Sequence, residues 1–340
     1  MYSNIKSKKT INYGLQILRM LLSFWVVLNH LYKPKNEVLY NTIIQHRFHV
    51  PTFIIISFYF LYNSLIIRNM QKIKDRLLKL LIPYIIYPSF WYIIFNYIYI
   101  YFDIESKKFS FKALITQIII GRGVYGVLWY HFNLIFLTIF SFIISFLFKE
   151  HFLFVLQLLA IFSYFIQFSN YNYKFFNKYN GMIKFSVGYL AETIPLAITG
   201  LTISSFNMIN KLKNIYVEII INSTLFIFIL FKYNIFIPIK GFGKQGLMYN
   251  IGGCLFFITF SLIPLDDLNK NILKFISFIT NFSPGIYYLH KKVYFLLKNK
   301  IIYIKNHSFS GCLLIYLICY LISFIFYNIF KKTKLKYLFI

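Results

Sequence analysis

Arg19 and His30 stand eleven residues apart inside a strongly apolar stretch, 12–32. At 3.6 residues per turn that spacing is close to three full turns. Both side chains therefore project from nearly the same helix face, roughly 16 Å apart along the axis. An imidazole is the side chain best suited to move a proton near neutral pH. A guanidinium can hold a carboxylate, a phosphate or a pantetheine-linked donor group. Asn12, Gln16 and Ser23 fall on the same face. A charge turned toward lipid is costly, so this polar stripe must face protein or a water-filled cavity. A structural arginine snorkelling to head groups beside an interfacial histidine is the competing account of the pair.

Further candidates lie on other apolar stretches. In RNMQKIKDRLLKLLIPYIIYP, Arg76 and Lys79 are three apart and share a helical face, while Pro83 and Pro88 restrict the backbone beyond them. They read either as a charge anchor or as a binder of a nucleotide-bearing donor's phosphates, with Arg76 as a bidentate fork and Lys79 as a point charge. Arg47 and His49 open HRFHVPTFIIISF, where they meet an anionic acceptor or face solvent. Trp129, Tyr130, His131 and Asn133 follow the turn-forming stretch 121–126, and Trp129 suits an interface belt as well as a substrate platform. In NFSPGIYYLHKK, Tyr287 and His290 share a face after Pro284 and Gly285, which bend the helix. They serve as interfacial anchors or as a second polar wall of the cavity that His30 faces. Glu192 is the acid clearly inside an apolar stretch and is a candidate orienter or counter-charge.

The chain has no GxSxG elbow, no phosphate-binding Walker loop and no HExxH pair. Cys254, Cys312 and Cys319 lie in apolar runs, with neither metal-like spacing nor a disulfide framework. A composition 59 % hydrophobic and 13 % charged excludes an ordinary soluble domain. The net charge of +27 falls mostly between apolar segments, where it meets lipid head groups and not nucleic acid.

These elements predict an all-α integral membrane protein. Ten stretches have the length and apolarity of crossings: 12–32, 48–67, 78–101, 126–148, 151–168, 185–204, 215–233, 247–264, 272–290 and 310–330. The connection 168–184 has room for a surface helix. No repeat or long soluble insertion interrupts the series, so residues 1–340 are expected to form one polytopic domain, with any chemistry inside or at the edges of the bundle. The first stretch lacks a small-residue cleavage pattern and reads as a retained helix behind Lys6, Lys8 and Lys9. That leader, the segment from Arg68 to Lys79 and the tail lysines Lys331, Lys332, Lys334 and Lys336 place both termini in the cytoplasm. Lys291, Lys292, Lys298, Lys300 and Lys305 then form a basic rim on the outer face, or else one crossing is miscounted.

Together the fragments resemble the membrane-bound acyltransferase 3 family, which includes O-acetyltransferases of bacterial surface sugars. The resemblance runs through most of the chain. LQILRMLLSFWVVLNH is similar to the family's first helix, with Arg19 and His30 at its Arg-x10-His spacing. VPTFIIISFYF resembles the second-helix motif, with Phe58 where a Gly is common. IKDRLLKLLIPY resembles the basic motif before the third helix, with Lys79 in place of the second Arg. GVLWYHFNLIF resembles the Trp-Phe-Leu segment, from which Tyr130 and His131 depart, and SPGIYYLH resembles the late Tyr-x-x-His segment.

The resemblance implies transfer of an acyl group, usually acetyl from acetyl-CoA, to a hydroxyl of a carbohydrate or lipid-linked glycan, in a standalone membrane form. Acyl-CoA would be a donor substrate, with no tightly bound cofactor or metal. His30 and Arg19 are the expected catalytic groups, and Arg76 and Lys79 the expected donor-binding groups. His49, Trp129, Glu192, Tyr287 and His290 are the expected substrate-binding groups. The expected location is the inner (plasma) membrane. A glycolipid transporter or flippase, and an inactive scaffold relative, are the rival readings.

Overall fold

The computed structural model describes residues 12–32, 48–98, 110–121, 128–168, 181–232, 244–265, 268–298, 301 and 308–339. Lys6, Lys8, Lys9, Arg47, Lys300, Lys305, most of the 168–184 connection and residues 122–127 lie outside them. All regular structure among the described residues is helical.

Helix α1 spans Tyr13–Leu31 and is capped by Asn12, whose side-chain oxygen accepts from the Leu15 amide at 3.0 Å. This satisfies one of the donors that a helix start leaves unpaired. The second expected crossing is two helices, α2 (His49–Tyr59) and α3 (Tyr62–Ile66), with a short turn between them. Helix α4 (Met70–Ile93) begins well before the expected position 78, because the Asn69 side chain caps it by accepting from the Lys72 amide at 2.9 Å. It runs through Pro83 and Pro88 into a π-helical turn, Ile94–Ile98. Helix α5 (Phe111–Ile120) was not expected. At 10 residues it is too short to be read as a crossing.

Helix α6 (Trp129–Phe148) and α7 (Phe152–Phe168) are joined by the turn Lys149–His151. Then come α8 (Gly181–Ser205), α9 (Met208–Leu212), α10 (Tyr216–Lys232) and α11 (Lys244–Leu262). The ninth expected crossing is broken into α12 (Lys270–Thr280) and α13 (Ser283–Leu297). Pro284 sits in the first turn of α13, where its missing N–H costs no helical bond. Helix α14 (Phe309–Phe330) is followed by a 3-10 turn, Lys334–Leu338.

Four described stretches are long and apolar enough to cross a membrane: Tyr13–Leu31, His49–Ile66, Trp129–Phe165 and Phe309–Phe330. Two apolar clusters fill the bundle, and α1 runs through both. Its first half packs Leu15, Leu18 and Leu22 with Ile55 and Phe58 of α2, Leu134 of α6 and Leu201 of α8. Its second half packs Val27 and Leu31 with Tyr84 and Tyr87 of α4, Ile286 and Tyr288 of α13, and Ile315 of α14. Helix α2 is pressed between α8 and α11. The approach of α8 requires glycine at position 200, since a Cβ there would run into the Ile55 carbonyl and the Tyr59 amide. The Arg19 turn of α1 therefore lies level with one cluster and the His30 turn with the other.

Candidate functional site

The polar stripe of α1 faces protein. Asn12 Nδ2 donates to the Ser261 carbonyl of α11 at 2.9 Å. Gln16 Oε1 accepts from Ser277 Oγ at 3.0 Å and from Thr280 Oγ1 at 3.4 Å, both on α12. Ser23 Oγ donates to the Met20 carbonyl at 2.7 Å and lies 3.5 Å from the Tyr316 hydroxyl of α14. These bonds set the rotation of α1 about its axis, and with it the direction in which Arg19 and His30 point.

His30 meets His290. Their rings stack with centroids 5.2 Å apart and planes 17° from parallel. His290 is fully buried, and its Nδ1 lies 2.8 Å from the Tyr287 carbonyl and 3.2 Å from the Ile286 carbonyl. Carbonyls only accept, so Nδ1 must carry the proton. The neutral ring then presents the Nε2 lone pair, and Nε2 has no hydrogen-bond partner among the described residues. A buried polar nitrogen left open in this way is costly unless a ligand or water completes it.

Aromatic rings continue this layer onto α6. The Tyr287 ring lies 6.3 Å from that of His290, 5.7 Å from His131 and 5.8 Å from Tyr130. His131 Nε2 is hydrogen-bonded to the Tyr288 hydroxyl. Tyr288 in turn stacks on Tyr87 of α4 at 4.5 Å, and the Tyr87 hydroxyl donates to the Leu338 carbonyl at 2.7 Å. The C-terminal turn thus props the wall that carries Tyr287 and His290.

A cationic layer adjoins the first. The Arg19 and Arg76 guanidinium groups both lie within electrostatic reach of the Tyr130 phenol. Arg76 is held by neutral oxygens: Nε donates to Thr138 Oγ1 at 3.1 Å, and the two terminal nitrogens to the Ser57 carbonyl at 3.1 Å and Ser57 Oγ at 2.7 Å. Its guanidinium carbon sits 5.4 Å from the centre of the Phe58 ring. Among the described residues neither arginine pairs with a carboxylate.

Of the expected site residues, His30, Tyr287 and His290 come together, and Arg19 joins Arg76 across Tyr130. Lys79 parts from Arg76. It is exposed, with its Nζ 5.6 Å from the Tyr337 ring centre in the C-terminal turn. His49 is buried with its ring 6.5 Å from that of Trp25, on α1. Trp129 is half-buried, edge-on to Tyr130 at 6.4 Å. Glu192 is half-buried on α8 beside Thr193, whose hydroxyl donates to the Leu190 carbonyl at 3.0 Å. In the expected outer rim, Lys292 lies over the Trp91 ring at 5.4 Å and Lys298 over Phe295 at 4.6 Å.

Sequence reasoning named Tyr130 and His131 beside Trp129 without giving them a role in the site, and it did not name Tyr288. Periodicity puts Tyr288 one position off the face shared by Tyr287 and His290, so spacing carried no signal of its bond to His131.

Fold and side chains define an all-α membrane protein whose candidate chemistry rests on histidine, tyrosine and arginine groups inside a helix bundle. The chain belongs to the acyltransferase domain family, which it matches over residues 12–327, and it is an acyltransferase. No curated protein and no solved structure matches it.

Proposed function

We propose that the protein is an O-acyltransferase that moves an acetyl or related acyl group from acyl-CoA to a hydroxyl of a carbohydrate or lipid-linked glycan. It works as one ten-crossing domain of the inner membrane, with both termini in the cytoplasm. What carries this reading is the His30–His290 stack, with the His290 Nε2 open, in a layer next to Arg76, which only neutral groups hold. Arg76 meets the donor's phosphates from the cytoplasmic side, Lys79 having turned away to Tyr337, and Arg19 draws the acyl end inward. The acceptor oxygen attacks the thioester carbonyl carbon while His30 takes the hydroxyl proton. The carbon–sulfur bond then breaks, the CoA thiolate leaves, and the proton on His30 returns to that sulfur. Arg19 and Tyr130 stabilise the developing oxyanion. His49, Trp129, Tyr287 and Glu192 line the acceptor's side.

The test uses the purified chain in lipid bilayers with acetyl-labelled acetyl-CoA and a mixture of membrane glycans. Label on the glycan is expected, and His30→Ala should lower the rate about 10²–10⁴-fold with the protein still folded and inserted. Glycolipid movement across the bilayer without transfer of label would overturn the reading in favour of a transporter. Binding without either would favour an inactive relative.

A further inference from the structure

Arg68 occupies a position that helices usually give to glycine. The Asn69 amide donates back to the Ser64 carbonyl at 3.0 Å, and the Arg68 amide to the Leu65 carbonyl at 3.1 Å. These are the paired bonds of a Schellman motif at the end of α3, in which the residue at position 68 must turn left-handed. Arg68 does so at φ +47°, a conformation that carries a steric cost for any residue with a Cβ. Glycine would relieve that cost, so a side chain here needs a reason of its own.

The reason lies beside it. Arg68 and Met70 form one wall of a groove of about 320 Å3, and Phe142, Ile143, Phe146 and Leu147 of α6 form the other. Arg68 is the charged member of an otherwise apolar lining. Phe146 and Leu147 are each 64 % exposed among the described residues, an apolar face that suits hydrocarbon. In the sequence, Lys72 follows Met70 by two residues and Lys149 follows Leu147 by two.

We infer that this groove is a binding site for an anionic phospholipid, with the acyl chain between Met70 and the α6 side chains and the head-group phosphate on Arg68. A guanidinium presents a fork to phosphate oxygens, and an anionic leaflet supplies them at this depth. A zwitterionic lipid carries its own ammonium beside the phosphate and gains less. The inference does not depend on the acyl-transfer reading.

The experiment is native mass spectrometry of the full chain in neutral detergent with equal phosphatidylglycerol and phosphatidylcholine, together with thermal melts in the same micelles. Phosphatidylglycerol should be retained several-fold over phosphatidylcholine and should raise the melting temperature, whereas inorganic phosphate at equal concentration should not. Arg68→Gly should melt no lower than the wild type without added lipid, yet lose the preference, and Lys74→Gln should keep it. If the glycine variant misfolds, Arg68→Gln carries the same binding test. Equal retention of the two lipids, an undiminished preference in Arg68→Gly or Arg68→Gln, or an equal loss in Lys74→Gln would overturn the proposal. So would a phosphate-induced shift as large as the lipid's, which would mark a free-anion site.

Discussion

The histidine layer and the arginine layer of this bundle treat their polar groups in opposite ways. Around Arg76, donors and acceptors are matched: three N–H groups find Ser57 and Thr138 oxygens, and the flat face of the guanidinium rests on Phe58. Around His290 and His131 the matching stops halfway. Each ring is anchored through one nitrogen, His290 to backbone carbonyls and His131 to Tyr288. The other nitrogen of each is buried with no hydrogen-bond partner among the described residues. A matched group holds the bundle together and offers charge at a distance. A half-matched one is costly to the empty protein and gains when something binds. On the proposed function, the arginine layer serves as scaffold and field and the histidine layer as the place of contact.

That contrast can be broken by substitution. His290→Phe keeps a ring against His30 but removes the open nitrogen. Acyl transfer should fall about 100-fold, or about 2.7 kcal/mol of barrier, with the melting temperature nearly unchanged. If transfer rates measured in bilayers stayed within a few-fold, the histidine layer would be packing only. Arg76→Leu should do the reverse first. It strands the Ser57 and Thr138 oxygens and should cost on the order of 2 kcal/mol of stability, read from chemical or thermal unfolding. An unaltered melt would show that the guanidinium is not part of the scaffold. Tyr288→Phe removes the partner of His131 and should cost about 1 kcal/mol, with transfer reduced several-fold as the α13 wall loosens. In the smallest case, Gln16→Ala should cost about 0.6 kcal/mol, the usual scale of an interhelical bond in a membrane. A loss of several kcal/mol there would make the α1–α12 contact a main support of the fold.

Of the residues that depart from the pattern of the family motifs, three have specific contacts. Phe58 lies under Arg76, Lys79 lies over Tyr337, and His131 bonds to Tyr288. Two of these contacts cross between elements far apart in the chain. No local rule could have produced them, and they argue against reading the departures as decay.

Much of the rest was legible beforehand. The stripe of Asn12, Gln16 and Ser23 does bond to neighbouring helices. The NFSPG segment marked the break between α12 and α13. What was not legible has a physical cause in each case. The Asn69 cap moved the start of α4 toward the N-terminus, the brevity of α5 hid it, and Arg76 and Lys79 diverged although three residues apart. Helical spacing fixes direction to within a broad arc, and a long flexible side chain then follows whichever partner is nearer.

Apolar length, the period of polar residues within it and the turn residues between stretches are local properties of the chain. They suffice to call for membrane helices and to name the polar face that α1 turns toward protein. Which imidazole meets which, and which nitrogens stay open, depends on how α1, α4, α6 and α13 approach one another. Those approaches are set by contacts such as Gly200 against Ile55 and Tyr87 against Leu338, between residues far apart in sequence. The pairing of His30 with His290 belongs to the packed bundle, because the energy of such contacts falls off over a few ångströms and only packing brings distant residues that close.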